Sequence, residues 1–258
     1  MLRSQLDRAW RLAGTAIAIP LMFGGATILA GVAFPILQAV TPERLLRRER
    51  NQNLVHVLFR LYIGFLRALR LIDVEIEGHE RLSNGPARII VANHPSLLDV
   101  VLLMALVRRA QCVVKHELWQ SPYLGRVVRG AGYIRNDLDS DAFLEACRAA
   151  LASGNHLIIF PEGTRSVPGE PIRFRRGFAN IATCLGTEIQ PVTISCSPAT
   201  LTKGEKWWAI PERRPRFRVE IGERLSTNSW QSCEHRPLAA RQIVRHFEAY
   251  YAGRLARG

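Results

Sequence analysis

The chain has 258 residues, 48% of them hydrophobic, and a formal net charge of +13. That length accommodates one well-buried α/β domain plus an appendage. The charge, almost all of it from arginine, calls for an anionic partner: nucleic acid, an anionic lipid surface or a phosphorylated substrate.

In chain order, Leu12 to Val40 carries no charged residue. At about 1.5 Å per residue it would make roughly 43 Å of helix against a hydrocarbon core of about 30 Å. Such a segment belongs in a membrane, and its apolar run is much longer than that of a signal peptide. Pro20, the Gly24–Gly25 pair and Pro35 are places where the helix can kink or break. Arginines flank both ends: Arg3, Arg8 and Arg11 before, Arg44, Arg47, Arg48 and Arg50 after. The positive-inside rule therefore chooses no orientation, and a segment that enters and returns would leave both basic flanks on one side. Leu54 to Ile72 is apolar except for His56, Arg60, Arg67 and Arg70, which fall with Gly64 on one helical face. This is either an interfacial helix with snorkelling arginines or an ordinary core helix exposing one side.

Strand-like runs follow at Asp73–Glu77, Arg88–Ala92, Cys112–Val114, Gly132–Arg135, His156–Phe160, Ile189–Ile194 and Arg216–Ile221. Their alternation with helical patterns predicts an α/β fold, a mixed, largely parallel sheet flanked by helices. The final helix, Pro237 to Leu255, is amphipathic and is expected to pack on that domain. The five cysteines, Cys112, Cys147, Cys184, Cys196 and Cys233, are scattered, odd in number and lack CxxC spacing. They read as reduced core thiols in a cytoplasmic setting, with no disulfide framework and no metal site.

After the second strand comes NHPSLLD, Asn93 to Asp99. The following run LLDVVLLMALVRR predicts a helix from Leu97, ended by Arg108 and Arg109, with Ser96 as N-cap. Residues five apart on one helix point roughly 140° away from each other, so His94 and Asp99 can meet only if His94 lies outside it. Asp99 would then hold one ring nitrogen of a general base and aim the other at a substrate hydroxyl. An isolated His–carboxylate pair is also a common structural hydrogen bond. Ser96 as a nucleophile is disfavoured, since no GxSxG elbow occurs anywhere.

FPEGTRS, Phe160 to Ser166, stands at the end of a later strand. NHxxxxD followed about 65 residues later by FPEGTRS resembles the glycerolipid acyltransferase family, in particular bacterial 1-acylglycerol-3-phosphate acyltransferases. The resemblance extends over Val74 to Leu225. Lys115 to Gly125 resembles the family's lysine-containing segment, GYIR (Gly132 to Arg135) its second motif, FRRG (Phe174 to Gly177) the basic element after FPEGTRS, and Pro191 its strand proline. One departure stands out: many glycerophosphate-acceptor members carry an acidic residue directly before the second-motif arginine, where this chain has Ile134.

The resemblance implies a division into N-terminal membrane-associated helices (1–72) and an α/β acyltransferase domain (73–258). It implies acyl transfer from acyl-CoA or acyl-ACP, with no cofactor beyond that donor, to the hydroxyl of a lysophosphatidic acid, giving phosphatidic acid. His94 would be the general base and Asp99 its orienter, with no acyl-enzyme. Lys115, Arg135 and Arg165 are the candidate phosphate ligands. Glu162 orients Arg165, contacts an acceptor hydroxyl, or forms a plain salt bridge. Gly163 and Thr164 form a tight turn after Pro161, whose backbone groups are candidate oxyanion donors, and Arg176 binds phosphate or the donor's nucleotide unless it is a solvated surface charge. Expected partners are membrane lipids and the lysolipid, with no nucleic acid, at a bacterial-type cytoplasmic membrane with the catalytic domain on the cytoplasmic side. The same chemistry on another acceptor, such as an amino-acid lipid, remains the nearest alternative. A basic non-enzymatic binder explains the charge but not His94, Asp99 and FPEGTRS together. Finally, Lys203 to Arg218 joins Trp207 and Trp208 to dense basic charge, a second membrane-docking surface, a groove for the donor's phosphates, or simply a loop covering its tryptophans.

Overall fold

The structure, a computed structural model, describes residues 2–83, 85–231 and 236–256. Cys233 lies outside them. The chain opens with α1 (Leu2–Ile28), a π-helical turn (Leu29–Ala33), α2 (Phe34–Val40) and α3 (Arg44–Ala68). The helix runs straight through Pro20 and Gly24–Gly25. The irregularity falls instead just before Pro35, where the Phe34 N–H donates to the Leu29 carbonyl and the wider turn makes room for the proline ring. α3 begins ten residues earlier than the apolar pattern indicated, because Arg44–Arg50 continue the helix.

α1 lies along α3. The Trp10 indole donates to the Leu69 carbonyl, the Tyr62 hydroxyl to the Ala18 carbonyl, and Gly14 allows Leu71 a close approach that a Cβ would block. One side of this pair is buried on the rest of the protein, while Ile17, Leu21, Ile28, Leu58 and Leu61 stay exposed on the other. His56 is a correction to the polar stripe: it is buried and its Nδ1 pairs with the Met104 carbonyl at 2.8 Å.

The rest of the chain runs β1 (Asp73–Glu77), α4 (Glu80–Ser83), β2 (Ile89–Ala92), α5 (Asp99–Leu106), β3 (Ala110–Val114), α6 (His116–Gln120), α7 (Gly125–Gly130) and β4 (Ile134–Arg135). It continues with α8 (Ser140–Ala152), β5 (His156–Ile159), α9 (Gly177–Leu185), β6 (Ile189–Ser197), β7 (Arg216–Ile221), α10 (Asn228–Gln231) and α11 (Arg236–Leu255). All seven strand-like runs are strands. They form one sheet in the order β1-β7-β6-β2-β5-β3-β4, parallel throughout except between β6 and β7. β2, β5 and β6 are central and covered on both faces; IIVA and HLII are accordingly almost uninterruptedly apolar, while β6 carries the buried polar residues Gln190 and Thr193.

Alternate residues serve two cores. Ile90, Ala92, Ile158, Val192 and Ile194 pack toward α5 and the N-terminal helices, and Ile89, Val91, Leu157 and Ile159 toward α8, α9 and α11. The second layer is pinned by Tyr251 of α11, whose buried hydroxyl donates to the Val91 carbonyl at 2.7 Å and accepts from the Val192 N–H at 3.2 Å. Cys112 and Cys147 are buried and Cys184 and Cys196 half-buried, all four free. Burial pushes the thiols of Cys112, Cys147 and Cys196 up to about 12, which leaves them protonated and unreactive at neutral pH.

Candidate active site

In a largely parallel sheet, functional groups gather beyond the carboxyl ends of the strands. Here β2, β5, β3 and β4 are neighbours in that order and deliver His94, Phe160–Ser166, Lys115 and Arg135–Asp137 to one edge. At the centre, Asn93 leaves β2 with its side chain folded onto β6. Its Nδ2 donates to the Ile194 carbonyl at 2.8 Å, and its Oδ1 accepts from the Ile194 N–H at 2.7 Å. This fixes the direction in which His94 departs.

α5 starts at Asp99, two residues later than expected, and its N-cap is Leu98, with no side-chain cap. Ser96 is therefore not the cap. It donates its backbone N–H to Asp99 Oδ2 at 2.6 Å, the same oxygen that accepts from His94 Nδ1 at 2.8 Å. An ionised carboxylate only accepts, so Nδ1 carries the proton and Nε2 presents a lone pair. The His94 side chain keeps 17% of its surface exposed while that of Asp99 has none. Burial pushes the Asp99 carboxyl above the usual carboxylate range, partly offset by the hydrogen bonds from His94 and Ser96. The His94 ring also stacks on Phe160 of the second motif, centroids 4.4 Å apart and tilted by 34°.

The two motifs are joined by Glu162. Its Oε1 accepts from the His94 N–H and from the Ser166 hydroxyl, both at 2.9 Å, and the Ser166 N–H donates to the His94 carbonyl at 2.7 Å. Glu162 makes no salt bridge with Arg165 among the described residues. Burial raises its carboxyl, opposed by these donors. Gly163 has φ +69°, and a Cβ there would meet the Arg175 guanidinium at 2.9 Å, so only glycine fits. Its N–H donates to the Phe160 carbonyl at 3.0 Å and is not free to hold an oxyanion. Thr164 is half-buried in the same turn.

The basic candidates divide. Arg165 Nη1 donates to the Leu201 and Thr202 carbonyls, both at 2.8 Å, and Leu201 also accepts from the Leu97 N–H, so Arg165 ties the loop after β6 to the His94 segment. Lys115 is exposed at the start of α6. Arg135 grips Asp137 with Nε and Nη2 at 2.9 and 2.6 Å, lies 5.9 Å from the Trp119 ring centroid, and shares Asp137 with His116. The acidic neighbour absent before Arg135 is thus supplied two residues after it. Three strand spacings put Arg135 roughly 14 Å from the line of β2. Arg176 is exposed at the start of α9, on the layer of α8, α9 and α11. Asn93, Phe160 and Ser166 were missed as site residues. All three lay inside quoted motifs, but their partners, Ile194 for Asn93 and His94 for Phe160 and Ser166, lie far away in sequence.

Residues 73–195 match the family model described as Acyltransferase. That stretch is similar to the Acyltransferase family. The 1-acyl-sn-glycerol-3-phosphate acyltransferase of Helicobacter pylori is 36% identical over 130 residues, covering 48% of this chain and 54% of its own. That of Cocos nucifera is 34% identical over 191 residues, covering 71% and 59%. The chain therefore spans little more than half the length of these curated relatives. The crystal structure of the 1-acyl-sn-glycerophosphate acyltransferase from Thermotoga maritima superposes with a TM-score of 0.66 at 20% identity, covering 96% of this chain and 97% of that one, and shares the fold. His94 to Asp99, Lys115, Arg135 and Glu162 to Arg176 all lie within the matched residues 73–195.

Proposed function

We propose that this protein transfers an acyl chain from a thioester donor, acyl-CoA or acyl-ACP, to the free hydroxyl of a lysophosphatidic acid at a membrane surface. The observation that carries this reading is the His94–Asp99 pair at the sheet edge, its proton on Nδ1 and its Nε2 open, inside the stretch similar to the Acyltransferase family. The names of the curated relatives support lysophosphatidic acid as the acceptor.

In the proposed reaction Nε2 takes the hydroxyl proton as the oxygen attacks the thioester carbonyl. Buried Asp99 stabilises the imidazolium that forms, an attraction strengthened by the low local dielectric. Collapse of the tetrahedral intermediate expels the thiolate, which takes the proton from Nε2, and no acyl-enzyme forms. Glu162 acts as a positioning residue, holding the His94 backbone against the second motif. Lys115, Arg135 and the part of Arg165 not tied to the loop would meet the acceptor phosphate.

The membrane reading rests on the helical run Gln5–Val40, which is long and apolar enough to cross a bilayer. We place the catalytic domain on the cytoplasmic side of a bacterial-type membrane, with 1–72 as the membrane element and 73–258 as the enzyme. A non-glycerophosphate acceptor is the second reading. The observation favouring it is Arg135, already paired in a fork with Asp137 and so less available to a phosphate. The test is a panel of lysophosphatidic acid, other lysolipids and an amino-acid lipid, offered with palmitoyl-CoA and palmitoyl-ACP and read by mass spectrometry. Phosphatidic acid is the expected major product; preferential acylation of an acceptor without a terminal phosphate would establish the second reading.

A further inference from the structure

On the layer of α8, α9 and α11, away from the N-terminal helices, a cleft of about 470 Å³ opens between the start of α9 and α11. It is lined by Phe174, Arg176, Arg241, Val244, Arg245 and Glu248. Arg241, Arg245 and Glu248 are four and three residues apart and so share one face of α11. Three guanidiniums face one carboxylate, whose Oε1 is occupied by the Phe174 N–H at 2.8 Å. None of the three arginines forms an ion pair with any described residue. Two arginines four apart repel each other on a helix, and a third from another element adds to that cost. The arrangement is favourable when an anion lies among them.

The position of the cleft decides which anion. Arg175 donates its N–H to the Pro161 carbonyl at 2.9 Å, so the start of α9 abuts the FPEGTRS turn. That turn in turn holds the His94 backbone. The exposed apolar surface of α1–α3 belongs to the opposite layer. A lipid acceptor arriving from the apolar side and a water-soluble donor arriving from the basic side would meet at His94 without competing for space.

We propose that Arg176, Arg241 and Arg245 form the docking site for the phosphates of the thioester carrier, whose long flexible arm then reaches the sheet edge. This rests on the acyl-transfer reading. The chemistry recognised is phosphate on a pantetheine carrier, whether the nucleotide phosphates of CoA or the phosphopantetheine of a carrier protein.

The experiment uses the full chain in detergent micelles. Free CoA binding is measured by calorimetry at low salt for the native protein, R241E/R245E and the milder R241Q/R245Q, with circular dichroism as the check on folding. Losing two guanidinium–phosphate contacts is expected to weaken CoA binding and raise the KM for acyl-CoA about tenfold, with kcat and the KM for the lysolipid unchanged. Palmitoyl-pantetheine, which has no phosphate, should serve native and variant proteins equally. An increase with acyl-CoA alone assigns the site to the nucleotide; an increase with acyl-ACP as well assigns it to the phosphate common to both. Unchanged CoA binding and donor KM in a folded variant, or a rise in the lysolipid KM instead, would overturn the proposal. CoA binding that depends on Arg241 and Arg245 in a protein without acyl transfer would leave the site standing and remove the functional reading.

Discussion

Asp99 reaches His94 because six residues of irregular backbone separate β2 from α5, and because the first residue of α5 turns its carboxylate back onto the Ser96 N–H. The helix N-terminus favours that negative charge, while complete burial disfavours it. Burial is the larger effect, and the carboxyl is raised. A second titratable residue, the half-buried His156 at the foot of β5, contributes stability rather than chemistry. Its Nδ1 has no partner among the described residues, and burial, with Arg88 and Arg109 nearby, pushes its pKa from 6.5 down to about 4. Below pH 6.5 the unfolded chain takes up a proton that the folded protein refuses until about pH 4. Stability from this residue is thus complete above pH 6.5 and is lost as the pH falls toward 4, by at most about 3 kcal/mol. Denaturant unfolding at pH 7 and pH 4.5 should show His156→Gln losing less stability on acidification than the native protein; equal losses would remove His156 from the account.

At the scale of elements, the loop after β6 is held from two directions. Arg165 grips its start, and the buried Arg11 of α1 donates to the carbonyls of Pro211, Glu212 and Arg213 at 2.8–3.1 Å. The loop therefore keeps Trp207 over a cavity it lines with Thr15, Ile19 and Met22 of α1, while Trp207 and Trp208 stay 40% and 51% exposed. This apolar cavity of about 50 Å³ lies between α1, α3, Leu97, Leu98 and Trp207. Ligand pockets are commonly ~300–1,000 Å³, so a ligand of that size could enter there only by displacing the lining. Alanine at Trp207 and Trp208 should lower partitioning onto anionic liposomes about tenfold in a flotation assay, with thermal unfolding unchanged. Unaltered flotation would confine docking to α1–α3.

Much of this element structure is legible in the chain. β2, β3 and β5 stand out as short apolar runs because they are buried on both faces, β1 and β7 as alternating ones, and FPEGTRS announces its turn through Pro161 and Gly163. What escapes is long-range: Asn93 with Ile194, Tyr251 with Val91 and Val192, and Arg11 with Pro211–Arg213 are contacts across 59 to 202 residues, invisible to local periodicity. His56 was placed on the wet face because a polar type at helical spacing looks exposed until its carbonyl partner on α5 is seen.

At the scale of the whole molecule, the sheet separates an apolar layer, carrying α1–α3, from a layer bearing the arginine cleft, and leaves its carboxyl edge open between them. Under the proposed function, this division would let a lipid and a soluble donor reach one imidazole. It also makes the central claim simple to test, because His94 contributes little to either core. The decisive measurement is the rate of phosphatidic acid formation by His94→Ala, made alongside thermal unfolding and liposome flotation. Loss of a positioned general base is expected to slow the reaction by about 10²- to 10⁴-fold while the folded protein still unfolds and floats like the native one. A folded variant that acylates lysophosphatidic acid at the native rate would contradict the account.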